Sequence, residues 1–496
     1  MIILALVTAA LAVGARMAMA RLAADGARVD HYYWMLAAQA YRRQRGLPVR
    51  LPGKYLLEDD RQGYPPLFGI LLGRWRLERW GVAVAPGLEV IQMAILAVVL
   101  MYLRAPVVAI AFALAWYAAT PVLVTYNLQL NARMLGDNFL FLLLACELIA
   151  TQRTGSIAIA GWLAATLLTA LVILTHKMTL QLYAVLVVPW AAALGSALPV
   201  VVMAAGAILY MTLVGQTFAA YQFAMHAALV TFWDRNWRHL GAHQFRRSPL
   251  YGSEDADCAS CFHGPGVRGM VKHLRIIVSY APGILMLPVA SVVAGQWPPA
   301  WLLVWLGVIY AWSLATLFIP GLKCLGGGHL YLFNAVAPAA IWIAWLPATG
   351  PVVLALSVGV VLTAVSLVAA WRVISSRPAP RDAGFQQALS VLKDEPPARV
   401  AVFPLQGAEA VAWATPHGVL WGGHGSGVSL FEDFFPILRQ PLSVFLQRYD
   451  IRWVLCDDRY WRLGREELAR EGMTSRGERV FGTWRLTELV TAAAQA

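Results

Sequence analysis

Long apolar runs dominate the first three quarters of the chain, and polar loops of very unequal length separate them. Runs of about 17 to 25 apolar residues are typical of membrane-spanning helices, and shorter runs fit where polar residues face a helix bundle. The first run lacks a basic start and a clean cleavage site, so it is predicted to be retained as a span. The pattern predicts about eleven spans, at 1–22, 87–103, 105–120, 137–151, 156–174, 178–196, 198–215, 274–294, 299–319, 330–347 and 350–371.

Two long loops, 25–86 and 217–273, interrupt the apolar runs. Further on, the stretch "SSRPAPRD" is typical of a linker, and hydropathy stays lower from there to the end of the chain. The remaining part, 375–496, alternates strand-like runs such as "RVAVFPL" and "IRWVLCDD" with helical ones. The predicted fold class is an all-α polytopic membrane domain over 1–374, followed by a small soluble α/β domain.

Alternation of the predicted spans places both long loops and the C-terminal domain on one face of the membrane. The short links on the opposite face carry only Arg104 and Arg153, whereas the loops carry many basic residues. A positive-inside count would make the loop-bearing face cytoplasmic, but that rule weakens for loops of about 60 residues. The chemistry of the loops favours the extracytoplasmic side of the inner (plasma) membrane.

Composition adds a charge pattern to this picture. The 496 residues are 59% hydrophobic and 13% charged, with a net charge of +12. Because the basic residues gather in loops between apolar spans, membrane lipids and lipid phosphates are the predicted partners, and nucleic acid is excluded. Five scattered cysteines exclude a disulfide scaffold. Within "CASCFHG", Cys258 and Cys261 are predicted to form a local disulfide, with two free thiols as the alternative.

Carboxylates stand near predicted span ends on the loop-bearing face. Asp30 opens the first long loop in "DHYYW", and Asp137 begins the fourth predicted span in "RMLGDNFLFLLL". For both residues the alternative is an acid that only caps a helix or complements its dipole. The run Glu58, Asp59 and Asp60 is more typical of a solvated surface.

Cations stand at the same predicted boundary. Arg133 precedes Asp137 by four residues, and His176 and Lys177 interrupt the apolar stretch "LVILTHKMTLQLY". The alternative for Lys177 is a side chain that only reaches up to the lipid headgroups. Carboxylates and cations at one boundary suit sugar transfer from a lipid phosphate. That reaction needs a base for the incoming hydroxyl and positive charge for the departing phosphate.

The chain resembles the GT-C superfamily of integral-membrane glycosyltransferases, in particular the branch of protein O-mannosyltransferases and lipid A aminoarabinose transferases. The resemblance begins with "DHYYW" after the first span and continues through "GLPVRLPGKYLLEDDRQGYPPLFGILLG", which ends in Pro-Pro-Leu before a helix. It recurs in "RMLGDNFLFLLLACELIA" and in "GGHLYLFNAVAPAAI". The motifs cover most of residues 1–345, and their order and spacing carry the match.

The resemblance implies that Asp30 is the general base and that Asp137 is a second acid, which orients the acceptor or helps to hold a divalent cation. Two departures leave metal use and the phosphate-binding cation open. His31 stands where relatives often have a second acid, and Tyr64 stands where many have a lysine. A cation such as Mg²⁺ or Mn²⁺, if used, would bind Asp30, Asp137 and His31. The candidate donor-binding residues are Lys177, Arg61, Arg133, Lys54, His176, His329 and Tyr64, the first two ranked highest.

These observations predict a glycosyltransferase of the cell envelope. It would move a hexosyl or pentosyl group from a polyprenyl-phosphate donor, with inversion, to an extracytoplasmic lipid, glycan or protein. One alternative is a multi-pass transporter or flippase of a lipid-linked or anionic substrate, and another is a scaffold whose acids are only caps. The sequence shows no clear half-to-half repeat, and its ionisable residues gather at span ends, which favours the enzyme.

Overall fold

A computed structural model describes most of the chain, namely residues 14–18, 29–44, 46–57, 60–239, 262–264, 266–375, 383–422, 430, 432–433 and 435–490. Several features predicted from the sequence lie outside these residues. They are most of the first span, Glu58 and Asp59, the pair Cys258 and Cys261, and the linker at 376–382.

Helices form almost all of the described N-terminal part. In chain order they are α1 Val29–Arg43, α2 Leu67–Arg74, α3 Val84–Tyr102, α4 Val107–Ala119, α5 Pro121–Tyr126, α6 Arg133–Gln152, α7 Gly155–Thr175, α8 Lys177–Leu194, α9 Leu198–Val214, α10 Gln216–Asn236, α11 Gly266–Tyr280, α12 Met286–Ala294, α13 Ala300–Phe318, α14 Val336–Trp345 and α15 Gly350–Ser375. Short 3₁₀ turns occupy Leu77–Ala83, Trp237–His239, Pro282–Leu285, Pro320–Leu325 and Gly328–Ala335.

Six helical segments in the described residues are long and apolar enough to cross a membrane, so the chain is a multi-pass membrane protein. They are Leu77–Tyr102, Arg133–Gln152, Gly155–Thr175, Lys177–Leu194, Ala300–Phe318 and Gly350–Arg372. Two bent pairs raise the number to eight if each pair is one span. The bends measure 114° between α9 and α10, and 95° between α11 and the helix that follows it.

The count of about eleven spans is not reproduced and stays a prediction. The run predicted as 105–120 forms α4, which has 13 residues, and the run 330–347 is divided between a 3₁₀ turn and the 10-residue α14. Hydropathy counts apolar residues but does not detect where the backbone turns. Gly215, with φ of +82°, breaks the apolar run between α9 and α10 in a conformation that side-chain-bearing residues rarely adopt.

The C-terminal part folds around a five-stranded sheet with the order β2-β1-β3-β5-β4. The strands are β1 Arg399–Phe403, β2 Gly418–Val419, β3 Trp453–Asp457, β4 Ser475–Phe481 and β5 Trp484–Leu489. β1 pairs in parallel with β2 and β3, whereas β5 pairs antiparallel with β3 and β4. Four helices accompany it, α16 Ala383–Asp394, α17 Ala408–Ala414, α18 Leu442–Arg448 and α19 Arg465–Arg470. Both predicted strand runs therefore form strands, as β1 and β3.

The first long loop continues this sheet at its β2 edge. The Val419 N–H donates to the Lys54 carbonyl at 2.9 Å, and the Leu56 N–H donates back to the Val419 carbonyl at 2.9 Å. The Tyr55 hydroxyl donates to the buried Glu409 carboxylate. Backbone bonds of this kind add a strand to a sheet edge, so the C-terminal domain is fastened to the loop that carries Asp30.

Candidate active site

α1 holds Asp30 in its first turn. Its apolar side packs on α2, where Trp34 is buried and meets the Phe68 ring edge-on with 4.9 Å between ring centres. The helices approach so closely that a Cβ added to Gly73 would lie 2.3 Å from the Ala38 carbonyl oxygen. The fixed helix pair therefore sets the position of the Asp30 carboxylate.

Asp30 faces a cavity of about 400 Å³. α1, the turn before α2, the N-terminal ends of α6 and α8, and α10 form its walls, and Trp421 and Phe435 of the C-terminal domain also line it. Five residues predicted from the sequence line this one space, namely Asp30, Tyr64, Arg133, His176 and Lys177.

The two cations of the cavity begin two of its helices. Arg133 is the first residue of α6, and its guanidinium carbon lies 4.8 Å from the centre of the Tyr126 ring. Lys177 is the first residue of α8, and its Nζ lies 5.5 Å from the centre of the Tyr64 ring. Within the described residues, Nε and Nη1 of Arg133 are buried without a hydrogen-bond partner. Such buried donors are suited to an anionic ligand, because leaving them unpaired is costly.

Asp30 and Arg133 both shift the pKa values of two neighbouring side chains, His176 and Tyr64. Burial lowers the pKa of His176 well below its usual value; Arg133 and Lys177 lower it further, and Asp30 opposes them. Burial raises the pKa of Tyr64, Asp30 raises it further, and Arg133 opposes. His176 is therefore a neutral side chain, bonded to the Thr179 hydroxyl at 3.1 Å. The positive charge of the cavity comes from Arg133 and Lys177.

Three polar residues in or beside the cavity wall were missed in the sequence. Gln129 donates from Nε2 to Asp30 Oδ2 at 3.2 Å, although Gln129 itself does not line the cavity. Gln181 and His226 do line it, with Gln181 Nε2 and His226 Nε2 3.1 Å apart. The Tyr331 hydroxyl donates to Gln181 Oε1 at 2.7 Å. In the sequence, only the polar character of the connection before α6 pointed to Gln129. Gln181 and His226 are isolated polar residues in largely apolar helices, and nothing in the sequence marked them as part of a site.

Apolar side chains make up much of the remaining lining of the cavity. Leu180 and Ile173 belong to helices that qualify as spans, and Phe223, Met225 and Leu229 come from α10 beyond the 114° bend. A polar, cationic end thus meets an apolar flank in one continuous space. This arrangement suits a ligand with an anionic head and a hydrocarbon tail.

The fold is shared with known membrane enzymes. The chain superposes on the apo crystal structure of the Archaeoglobus fulgidus oligosaccharyltransferase with a TM-score of 0.56 and 12% identity, over 91% of this chain and 69% of that one. The same protein with Zn and sulfate gives 0.55 and 14%, over 92% and 68%. The chain has the GT-C fold. ArnT from Cupriavidus metallidurans bound to undecaprenyl phosphate gives 0.45 and 16%, over 98% of both chains.

No protein-family model matches the chain, and neither does any curated protein. The fold that the short motifs predicted is therefore confirmed, and at 12% identity the match shows the fold alone.

Asp137 takes a different place in this GT-C fold from Asp30. α6 begins at Arg133, so Asp137 stands in the second turn and the capping alternative for it is wrong. It does not line the cavity, and it is buried with Oδ1 2.5 Å from the Asn334 amide that donates to it. It lies about 6 Å along the helix axis from Arg133. Its role as the second acid stays a prediction.

Four other predicted residues also lie outside the cavity lining. Lys54 donates to the Ala412 and Thr415 carbonyls at 2.8 and 2.9 Å, and burial lowers its pKa. Arg61 is exposed, with its guanidinium 4.7 Å from the centre of the Tyr221 ring. The other two residues are His329, 2.9 Å from the Tyr126 hydroxyl, and His31, next to Gly81.

The structure does not gather the predicted metal ligands. Across the described ranges, no three His, Cys, Asp or Glu side chains lie close enough to hold one metal ion. Asp30 and Asp137 are separated into the cavity and the helix interior, and His31 follows Asp30 on α1 without lining the cavity.

Proposed function

We propose that the chain is a glycosyltransferase that moves a sugar from a polyprenyl-phosphate donor to an acceptor, with inversion at the anomeric carbon. One observation carries the proposal: Asp30, Arg133 and Lys177 line a single cavity that has an apolar flank. The carboxylate supplies a base, the cations supply a phosphate site, and the flank accommodates a hydrocarbon chain. On this proposal the cavity, the long loops and the C-terminal domain face the extracytoplasmic side of the inner membrane.

The reaction is a single displacement. An acceptor hydroxyl loses its proton to Asp30, and its oxygen attacks the anomeric carbon from the side opposite the phosphate. The bond between that carbon and the phosphate oxygen breaks, and the lipid phosphate departs with the electron pair. Arg133 and Lys177 stabilise the charge that grows on it. Gln129 holds Asp30 by its 3.2 Å hydrogen bond and so acts as a positioning residue.

The fold supports this class of reaction. Another crystal structure of the archaeal oligosaccharyltransferase, similar to this chain with a TM-score of 0.55 and 10% identity, carries a tethered acceptor peptide. A lipid, glycan or protein acceptor is compatible with the aromatic rings at the C-terminal side of the cavity, among them Trp421 and Phe435. Asp137, buried one turn below Arg133, would then assist through its effect on that helix end, with or without Mg²⁺ or Mn²⁺.

Buried charges inside the helix bundle favour a second candidate, a transporter or flippase. Glu89 is paired with Arg16, and Glu147 accepts a 2.9 Å hydrogen bond from the Tyr183 hydroxyl; all of these are within helices and buried or nearly so. The prediction that ionisable residues gather only at span ends is therefore wrong. Intramembrane acids of this kind are common in transport pathways.

Turnover of synthetic donors by the Asp30→Asn variant tests the proposal. The full chain in nanodiscs is incubated with undecaprenyl-phosphate hexose or pentose and with a mixture of lipid, glycan and protein acceptors, and release of undecaprenyl phosphate is measured. Loss of a general base typically costs about 100- to 10,000-fold in rate, whereas undecaprenyl phosphate should still bind. Asp234→Asn, on the exposed side of α10, is the control and should keep its turnover.

The same donors distinguish the two candidates. An enzyme consumes the donor and releases undecaprenyl phosphate. A transporter in sealed vesicles moves the intact donor between leaflets and releases none. Full turnover in Asp30→Asn would overturn the assignment of the base, and intact translocation without sugar loss would overturn the enzyme itself.

A further inference from the structure

α11 has an exposed apolar stripe that no described part of the chain covers. The side chains of Val267, Met270, Val271, Leu274 and Val278 are between 45% and 72% exposed. Their spacing of three or four residues places them within an arc of about 100° on one side of the helix. A continuous stripe of this kind in water is unfavourable, so it calls for an apolar environment.

The opposite side of α11 is fixed to the protein, so the helix cannot rotate to bury the stripe. His273 is buried, with Nε2 3.1 Å from Nδ1 of the buried His263. At the end of the helix, the Tyr280 ring stacks on the Tyr126 ring with 5.7 Å between centres. These contacts orient the stripe outward.

α11 is nearly perpendicular to the helical segment that follows it. The bend between α11 and the segment Pro282–Ala294 is 95°, and the two together are long and apolar enough to cross a membrane. Helix α13 qualifies as a span by itself and follows directly. If the segment after the bend enters the bilayer, α11 runs along its surface.

Basic residues border the apolar stripe, and α11 contains no acid. Arg268 and Arg275 are exposed, and Lys272 is half-buried between them. At 100° per residue all three project to one side of the stripe, next to the fixed face. Outside the helix, Lys323 adds a further cation, with its Nζ 4.1 Å from the centre of the Trp237 ring. An apolar stripe bordered by cations is the pattern of an interfacial helix on anionic lipid.

We propose that α11 lies in the headgroup region of the bilayer and binds the phosphates of anionic phospholipids through Arg268, Lys272 and Arg275. The apolar stripe enters the upper acyl region while the basic row remains at the headgroups. The site is separate from the cavity, because none of these residues lines it. It is also close to the cavity through Tyr126, whose ring contacts both Tyr280 and Arg133.

Retention of phosphatidylglycerol by the full chain tests this site. The purified protein is mixed with equal amounts of phosphatidylglycerol and phosphatidylcholine, and bound lipid is counted by native mass spectrometry without any sugar donor. Each surface charge contributes about fivefold to anionic-lipid binding, so the R268Q/R275Q variant should lose at least several-fold of its preference for phosphatidylglycerol. The R268K/R275K variant keeps the charge and should keep the preference.

A charge-matched control separates the site from general electrostatics. The R470Q/R476Q variant removes two exposed arginines from the C-terminal domain and should retain phosphatidylglycerol normally. Equal losses in both glutamine variants, or no loss in R268Q/R275Q, would overturn the proposal. The measurement does not depend on glycosyl transfer, so it remains decisive whether or not the proposed reaction is correct.

Discussion

Asp30 and Asp137 look alike in the sequence but occupy unlike regions of the molecule. Asp30 stands in the first turn of its helix and lines the cavity, where Gln129 donates to it. Asp137 stands in the second turn of α6, where it is buried and accepts a hydrogen bond from the Asn334 amide. One turn of helix separates the two situations, because the first position of α6 belongs to Arg133. The two acids therefore differ in position along their helices and in burial, although both lie near a helix start in the sequence.

The neighbours of the two acids differ in the same way. In the helix interior, charged and amide groups pair with one another: Glu89 pairs with Arg16, and Asn127 donates to Glu89 at 3.0 Å. One carboxylate oxygen each of Glu89, Asp137 and Glu147 nevertheless has no hydrogen-bond partner within the described residues. In the cavity, two guanidinium nitrogens of Arg133 have no hydrogen-bond partner within the described residues. The atoms that the interior acids leave unpaired are acceptors, whereas those of Arg133 are cationic donors, which suit an anion.

Arg133→Gln should have the largest effect of the changes that test this comparison. Removal of one preorganised donor to a developing anion commonly costs about 100- to 1,000-fold in rate. We expect a loss of that size in release of undecaprenyl phosphate, together with weaker binding of undecaprenyl phosphate itself. Arg61→Gln is the matched control, since Arg61 lies on the surface outside the cavity. Equal losses in both variants would remove the distinction between cavity and surface cations.

Asp137→Asn should affect turnover much less. The amide can still accept the hydrogen bond from Asn334, and the side chain does not line the cavity. We expect a rate loss below about tenfold, which corresponds to less than about 1.4 kcal/mol in activation free energy. A loss as large as that of Asp30→Asn would show that the interior acid takes part in the chemistry. The same donor-release assay measures both variants.

The sequence predicted the polar end of the cavity because its residues are the first of their helices. Arg133 and Lys177 begin α6 and α8, and Asp30 stands in the first turn of α1, so each was visible as a polar residue at the edge of an apolar run. The order of short motifs was enough to indicate the GT-C fold. Helix ends are readable because the change from polar to apolar residues coincides with them.

The sequence did not predict the contacts between segments that lie far apart along the chain. Lys54 looked like a phosphate ligand, but two carbonyls of the C-terminal domain bind it. Glu147 lies inside a helix whose apolar character concealed its bond to Tyr183. The bends at Gly215 and Ala281 turned apparent spans into angled pairs. Such features depend on tertiary pairing, which periodicity along one segment cannot specify.

Lys54→Met tests the attachment of the C-terminal domain to the first loop. The change leaves the carbonyls of Ala412 and Thr415 without their ammonium donor in a partly buried place. Unsatisfied buried groups of this kind cost about 1–3 kcal/mol. We expect a lower unfolding temperature in detergent and faster proteolysis between the domains, with donor release at 20 °C changed less than about threefold. A hundredfold loss of turnover would instead indicate that Lys54 binds the sugar donor.

The smallest expected effect comes from a buried histidine of the C-terminal domain. Its protonation should change the stability of the protein and not the rate of turnover. His417 is fully buried, accepts from the Ala398 N–H at 2.9 Å through Nδ1, and has its Nε2 2.6 Å from the Leu392 carbonyl, to which it donates. Burial is the main cause that lowers its pKa below the usual 6.5. Both ring nitrogens are engaged in the neutral form, so protonation would cost the bond from Ala398.

The sign of the pH effect follows from this depressed pKa. As pH falls below about 6.5, unfolded His417 takes up a proton whereas the folded side chain stays neutral. The stability that His417 contributes is therefore present above that pH and is lost below it, by up to about 1.4 kcal/mol per pH unit. Thermal unfolding of the full chain at pH 7.5, 6.5 and 5.5 measures the loss. His417→Gln should be less stable at pH 7.5 and show a flatter dependence, and an unchanged slope would assign the pH effect to other groups.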